Sequence, residues 1–351
     1  MALEKHNIVC SIFLATLITF QLKYYASETT KRSRALKHKD TVKIVMGDQD
    51  VIDCVNMNKQ LSSNHHNIDD NNKDLKSAFK GEIIQAWHKH EKCPGGTVPI
   101  RRRTSYIIRK HPSLLRRHFN SSLNESTIEK HEYVLIRSND TRYYGATATL
   151  TVWKPKVDHN EFSLTQLWIS SGNGTELNTI EVGWIRDSYK TTGYYDSDCP
   201  GFVQTDFSIK IGGPIFPISI AGGPIIAVTI MVFKDSSYGN WWLSYNGVII
   251  GYFPNNLFTS LSNYAEKVDI GGEIVNLENN GHHTPTQMGS GLYPHQSGAS
   301  FVTGIKLFDQ DRNPINESIL SLMVSTPQCY GVYVSNNKIF YGGPGYSEFC
   351  R

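Results

Sequence analysis

Trp241-Trp-Leu-Ser-Tyr-Asn-Gly-Val-Ile-Ile-Gly-Tyr-Phe253 sets the fold class. Asn246-Gly247 tolerates the positive φ angles of a type I′ turn, and β-prone residues run away from it on both sides. The stretch predicts a hairpin of strands 241–245 and 248–253. Upstream, Ala148, Leu150 and Val152 alternate with Thr147, Thr149 and Thr151, a period of two that marks a strand. Phe162 to Ile169 reads as another strand. Pro224 to Phe233 is almost continuously apolar, which suits a strand buried on both faces. Leu257, Leu261, Ala265 and Val268 repeat at helical spacing, with Asn255 or Asn256 as a cap, and predict one helix. Many strands and one helix point to a mainly β chain, an antiparallel sandwich.

The texture differs before residue 131. The chain of 351 residues has a net charge of +3, but the balance is uneven. Residues 1–130 carry nine more basic than acidic groups, and residues 131–351 carry six fewer. A basic front and an acidic back attract, and carboxylate protonation weakens that attraction. Ile8 to Leu22 is apolar, follows Lys5 and His6, and has the length of a secretory leader cut near Ala26. No later stretch is long and charge-free enough to span a bilayer. Export is the expectation, to the apoplast or a vacuole, with no membrane contact once the leader is gone. Five sequons, at Asn120, Asn124, Asn139, Asn173 and Asn316, fit glycosylation of an exported chain. Cys54, Cys93, Cys199, Cys329 and Cys350 follow the leader's Cys10, an odd mature count with no zinc spacing. The expected organisation is a leader (1–26), a small basic pro-domain (27–130) and a sandwich (131–351). Nothing in the chain calls for a cofactor, a metal or a nucleic-acid partner.

Several strings in the back half resemble the plant neprosin family of secreted peptidases. They include Cys199-Pro-Gly-Phe-Val-Gln204, Gly239-Asn-Trp-Trp-Leu243, Gly271-Gly-Glu273, Thr286-Gln-Met-Gly-Ser-Gly291, Cys329-Tyr330 and Tyr341-Gly-Gly-Pro-Gly345. Asp50-Val-Ile-Asp-Cys54 and Cys93-Pro-Gly-Gly-Thr-Val-Pro-Ile-Arg-Arg102 look like that family's activation peptide. The resemblance implies a zymogen: a glutamic endopeptidase that cuts proline-containing peptides at acid pH, held inactive by its own pro-domain. By motif, its catalytic glutamates fall on Glu181 and Glu273. It also implies disulfides Cys54–Cys93 and Cys329–Cys350.

The residues themselves add to this. If 180–184 is a strand, Ile180, Val182 and Trp184 take one face and Glu181 the other. Gly271-Gly272 before Glu273 permits a bulge or the close approach of another backbone. Two carboxyls meeting across a groove can share a proton, one acting as base and the other as acid. Their roles are not distinguishable from sequence. Ser290 reads as a turn residue, and His282-His283 as neighbours on opposite faces of a strand. Three departures from the family stand out: Tyr194 replaces a cysteine and leaves Cys199 without its partner, a stretch after Trp184 is missing, and Ile270 stands where Trp is usual. They favour a second reading, an inactive relative that binds glycan or peptide through tryptophans such as Trp241 or Trp242. A third reading, a glycosidase, uses the same two carboxylates.

Overall fold

The computed structural model describes residues 9–15, 38–47, 51–60, 85–89, 91–102, 130–187, 201–278, 281–315 and 320–351. Seventeen strands follow one another: β1 (Val9–Ala15), β2 (Thr41–Met46), β3 (Val51–Asn56), β4 (Thr97–Arg101), β5 (Lys130–Arg137), β6 (Gly145–Thr151), β7 (Phe162–Ser171), β8 (Asn178–Asp187) and β9 (Val203–Gln204). Then come β10 (Ala227–Lys234), β11 (Trp241–Tyr245), β12 (Val248–Phe253), β13 (Lys267–Asn276), β14 (Ser300–Phe308), β15 (Ser321–Val324), β16 (Gly331–Ser335) and β17 (Lys338–Gly342). They make a six-stranded sheet (β1-β8-β7-β13-β5-β15), an eight-stranded sheet (β16-β17-β14-β6-β10-β11-β12-β9) and a small three-stranded sheet (β2-β3-β4). All pairings are antiparallel except β1 on β8.

The two large sheets pack face to face, because each alternates apolar residues inward. Ile180, Val182 and Trp184 meet Ala146, Ala148 and Leu150 together with Val228, Ile230 and Val232 in one core. Among the described residues, two hydrogen bonds join strands of the opposing layers. Trp184 Nε1 donates to Thr151 O at 3.0 Å, and the Thr165 and Tyr341 hydroxyls are 2.6 Å apart.

The Asn-Gly hairpin forms as the sequence expects. Asn246 and Gly247 both have positive φ, 46° and 79°. The expected helix does not form. Asn255–Leu257 and Ser260–Ser262 are single 3₁₀ turns, and Lys267 already begins β13. The apolar spacing there reflects burial of Leu261 and Ala265, but their backbone groups are engaged elsewhere. Leu261 O accepts from Trp241 Nε1, Leu261 N donates to Asn178 Oδ1, and Ala265 bridges to Tyr143. These tertiary hydrogen bonds displace the i→i−4 ladder. β10 is also less buried than expected. It starts at Ala227, and Ala227 and Thr229 are exposed while Val228, Ile230 and Val232 face the core.

The front of the chain has its own small core of Val45, Ile52, Trp87 and the Cys54–Cys93 disulfide. Asp53, almost fully buried, accepts from Arg102. The second disulfide, Cys329–Cys350, ties the C-terminus to the loop before β16. Cys199 and the sequons Asn120, Asn124 and Asn316 lie outside the described residues; Asn139 and Asn173 are exposed.

Behind β5 a polar group is sealed in the core. Glu132 and His283 are both buried, with His283 Nε2 2.9 Å from Glu132 Oε2. His282, its neighbour, stacks on Tyr346 instead. Burial opposes the charge on Glu132, but hydrogen bonds from His283, Asn276 and Thr326 outweigh it and hold the carboxyl below its ordinary range. Burial likewise opposes the charge on His283, and the hydrogen bond and charge of Glu132 outweigh it and raise the imidazole. The raised histidine contributes stability that is complete below its ordinary 6.5 and fades as pH climbs through its folded value. The lowered glutamate contributes stability that is complete above its ordinary 4.5 and fades as pH drops through its folded value. Thermal unfolding should therefore show a plateau between pH 4.5 and 6.5. Glu132→Gln should remove that plateau and cost about 3–5 kcal/mol at pH 5.5, since it strips a buried cation of its partner. An unchanged pH profile in the variant would refute this assignment.

Candidate active site

Each strand of the six-stranded sheet has an inner and an outer face, and the candidate residues gather on the outer one. Because Ile180, Val182 and Trp184 fill the core, Glu181 on β8 points away from it. Across the sheet Glu181 stands opposite Trp168 on β7. Glu273 on β13 stands opposite Leu164 on β7 and Tyr133 on β5. Directly opposed residues share a face, so both glutamates lie on the outer side with β7 between them.

Gln166 occupies the position between. Its neighbours in register are glycines on both sides, Gly183 on β8 and Gly271 on β13. A methyl group on Gly183 would lie 2.5 Å from Gln166 Cβ, so glycine there gives the amide its room. Gln166 is fully buried. Its Nε2 donates to Glu181 Oε2 at 3.1 Å, and its Oε1 is buried with no hydrogen-bond partner among the described residues. Thr179 Oγ1 donates to the other oxygen of Glu181 at 3.2 Å.

Glu273 has a different set of partners. His131 Nδ1 lies 2.5 Å from Glu273 Oε1. Tyr133 is hydrogen-bonded to Glu273, and its phenol is raised first by burial, then by the charges of Glu273 and Glu181. Tyr133 thus lies within the electrostatic reach of both carboxylates. His131 packs edge-on against Phe162, 5.9 Å between centroids. Phe162, Leu164, Trp168 and Ile185 form a separate apolar strip on this face. At the far end, Arg137 Nε and a terminal nitrogen clamp Asp269 at 2.7 and 3.0 Å. Beyond Ser170 a polar cleft of about 520 Å³ opens, lined by Asp140, Arg142, Ser171, Tyr264, Glu266 and Lys267.

The structure brings the two sequence-derived glutamates to one face, but not side by side. Ordinary strand spacing puts their Cα atoms roughly 16 Å apart, two strands across and four residues along. At that separation only a bridging molecule would connect the two carboxyls. The Gly271-Gly272 pair does not form a bulge, since β13 keeps continuous register with both neighbours. Close approach is what those residues permit. A methyl on Gly271 would sit 2.0 Å from Val134 O, and one on Gly272 would strike Met288 and Tyr341. Trp241 and Trp242 are buried, so neither is placed to stack on a sugar. Ser290 makes a turn, its Oγ accepting from Ser300 N at 3.2 Å. His283 lies close to the sulfurs of Cys329 and Cys350, but these are joined in the disulfide and offer no thiolate to a metal. Gln166, Tyr133 and His131 escaped the sequence reading. Gln166 and Tyr133 are legible only once strand register is known, although His131 and Tyr133 flank a buried glutamate in an alternating strand.

Fold and site together define a two-sheet β-sandwich that carries paired carboxylates on the outer face of one sheet. Residues 184–344 match the Neprosin family model, which supports membership of the neprosin family. The match contains Glu273 and begins three residues after Glu181.

Gly271→Ala should show that the glycine keeps the Glu273 strand in place. The expected loss is about 1–3 kcal/mol of stability in denaturant unfolding. A fully stable variant would mean that β13 and β5 have slack at this point.

Proposed function

We propose that the outer face of the six-stranded sheet hydrolyses peptide bonds, with Glu181 and Glu273 as its acid and base. The observation that supports this best is the placing of both carboxyls on one face, either side of an amide with a free acceptor. A water hydrogen-bonded to Gln166 Oε1 has a glutamate on each flank. One carboxylate takes a proton from that water as its oxygen bonds to the peptide carbonyl carbon. The other, protonated, hydrogen-bonds the carbonyl oxygen. It then passes its proton to the leaving nitrogen as the C–N bond breaks. One proton held between two carboxylates is the starting state this needs, which suits acid pH. The substrate we propose is a proline-containing peptide or protein laid along Phe162, Leu164, Trp168 and Ile185. In this reading the chain is a secreted zymogen, apoplastic or vacuolar, that loses residues 1–26. Its pro-domain is residues 27–130, and it bears glycans on exposed asparagines such as Asn139 and Asn173.

A second reading, binding of glycan or peptide without hydrolysis, draws on the polar cleft beyond Ser170. Tyr264 and Arg142 there form a cation–π pair at 5.1 Å. A third, glycoside hydrolysis, uses the same carboxylates.

A quenched fluorescent peptide containing proline, assayed near pH 4, separates these. Wild type should cleave it. Glu181→Gln and Glu273→Gln should each lower kcat/KM by roughly 10³-fold or more. Gln166→Leu should lower kcat by roughly 10²-fold with little change in KM. No cleavage by wild type, with polysaccharide binding retained in Glu273→Gln, would replace the peptidase reading with the second one. Activity on a glycoside panel but not on peptides would favour the third.

A further inference from the structure

The eight-stranded sheet has a charge composition of its own. Its strands contain Lys234, Lys306 and Lys338 but neither Asp nor Glu. The strands of the six-stranded sheet carry Glu132, Glu181, Asp187, Asp269 and Glu273. Ala146, Ala148 and Leu150 of β6 and Val228, Ile230 and Val232 of β10 fill the core, so the residues that alternate with them face outward. Two rows of side chains cross this outer face in register. Tyr333 on β16 stands opposite Phe340 on β17, and Phe340 stands opposite Phe301 on β14. Two residues along, Ser335, Lys338, Thr303, Thr149 and Thr229 follow one another across β16, β17, β14, β6 and β10. Residues opposed in this way share a face.

Both rows are open to solvent. Tyr333 is 52% exposed, Thr229 is exposed, and Phe301, Phe340, Lys338, Thr303 and Thr149 are half-buried. The Tyr333 and Phe340 rings lie 6.4 Å apart at an angle of 33°, and Phe340 and Phe301 lie 5.5 Å apart. Lys338 Nζ stands 4.4 Å over the Phe301 ring, a cation at one end of the aromatic row. The Thr149 and Thr229 hydroxyls are 2.9 Å apart, so one donates to the other and one hydroxyl hydrogen is left for a partner outside. Lys306 is exposed and stands opposite Thr147 on the same face. Arg312 lies 5.3 Å over Phe233, an outward residue of β10. Asp309, in the turn after β14, turns its carboxyl onto Asp311 N and Asn313 N at 2.9 and 2.8 Å. Aromatic rings, hydroxyls and cations without carboxylates suit a sugar ring that bears a carboxylate. Its C–H face packs on an aromatic ring, its hydroxyls meet threonines, and its charge meets lysine.

We propose that the outer face of the eight-stranded sheet binds an acidic polysaccharide, a polymer of uronic acids, across β16, β17, β14 and β6. Charge complementarity selects this occupant. An uncharged glycan leaves the lysines without partners, and a second copy of the face sets lysine against lysine. The surface is distinct from the polar cleft beyond Ser170, which lies at the end of the six-stranded sheet. It is also on the opposite side of the sandwich from Glu181 and Glu273, so a chain held on the polymer keeps its carboxylate face free. The proposal does not depend on the peptidase reading, because binding rather than hydrolysis is measured.

The test is retention of the full chain on immobilised polygalacturonate at neutral pH and low salt, with an uncharged glucan as control. Wild type should bind the polyuronate, come off as salt is raised, and pass through the glucan. Tyr333→Ala should weaken binding about tenfold, while Tyr333→Phe, which keeps the ring, should bind as wild type does. Lys338→Gln should weaken binding about threefold and make it less sensitive to salt. The basic front of the chain attracts any polyanion, and the Tyr333 variants separate that effect from the face. Retention that Tyr333→Ala leaves unchanged would overturn the proposal. So would equal retention on the uncharged glucan, or no retention of wild type on polygalacturonate. Self-association abolished by Tyr333→Ala, with no binding to the polyuronate, would give the face to a second copy and overturn the proposal as well.

Discussion

Burial of Ile180, Val182 and Trp184 between the two sheets fixes everything on the other side of β8. A strand offers only two faces, so filling one with three core residues commits Glu181 to the other. The same alternation acts on β13, where Ile270 and Ile274 are core and Glu273 is not. Register then does the rest. β7 runs between them and places Gln166 between two glycines, where a larger residue at Gly183 would block it. Trp184 is the anchor of this arrangement, because its indole also donates across the core to Thr151 and holds β8 against the opposite sheet. Removing it would leave a cavity costing about 3–5 kcal/mol and free β8 to shift.

The front of the chain reaches both sheets, with β1 beside β8 on one and Gln60 and Gln85 against the segment after β9 on the other. The acidic face belongs to the six-stranded sheet, and the two glutamines meet the eight-stranded one. The chemistry of the two differs accordingly. Around the glutamates, ionisable groups face each other across short distances, and pH changes their charges. Along the segment after β9, the neutral side-chain amides of Gln60 and Gln85 meet backbone. Glu132 and His283 add a third setting, a buried ion pair whose stabilising window lies on the acid side of neutrality.

How much of this was legible in the sequence depended on how local the signal is. Asn246-Gly247 announces its hairpin because both residues must take positive φ, a demand set by two neighbours in sequence. The Ala148-Leu150-Val152 alternation and the direction of Glu181 follow from the two-residue period of a strand. Leu257 to Val268 misled because apolar spacing records which side chains are buried, not where the backbone hydrogen bonds go. There Asn178, Tyr143 and Trp241 take them. Gln166, Gln60 and Gln85 carry no local signature. Their meaning lies in partners more than a hundred residues away or on adjacent strands. The separation of the glutamates by a whole strand was hidden for the same reason. Motifs identify the two residues, and only register measures the gap between them.

The most direct test of the account is a double-mutant cycle on Glu181 and Glu273, read in kcat/KM for peptide hydrolysis. If the two carboxyls work as one unit through a bridging water, either substitution alone removes almost everything the pair supplies. The Glu181→Gln/Glu273→Gln double variant should then be no slower than the worse single one. Losses that multiply in the double variant would show two independent contributions and contradict the account.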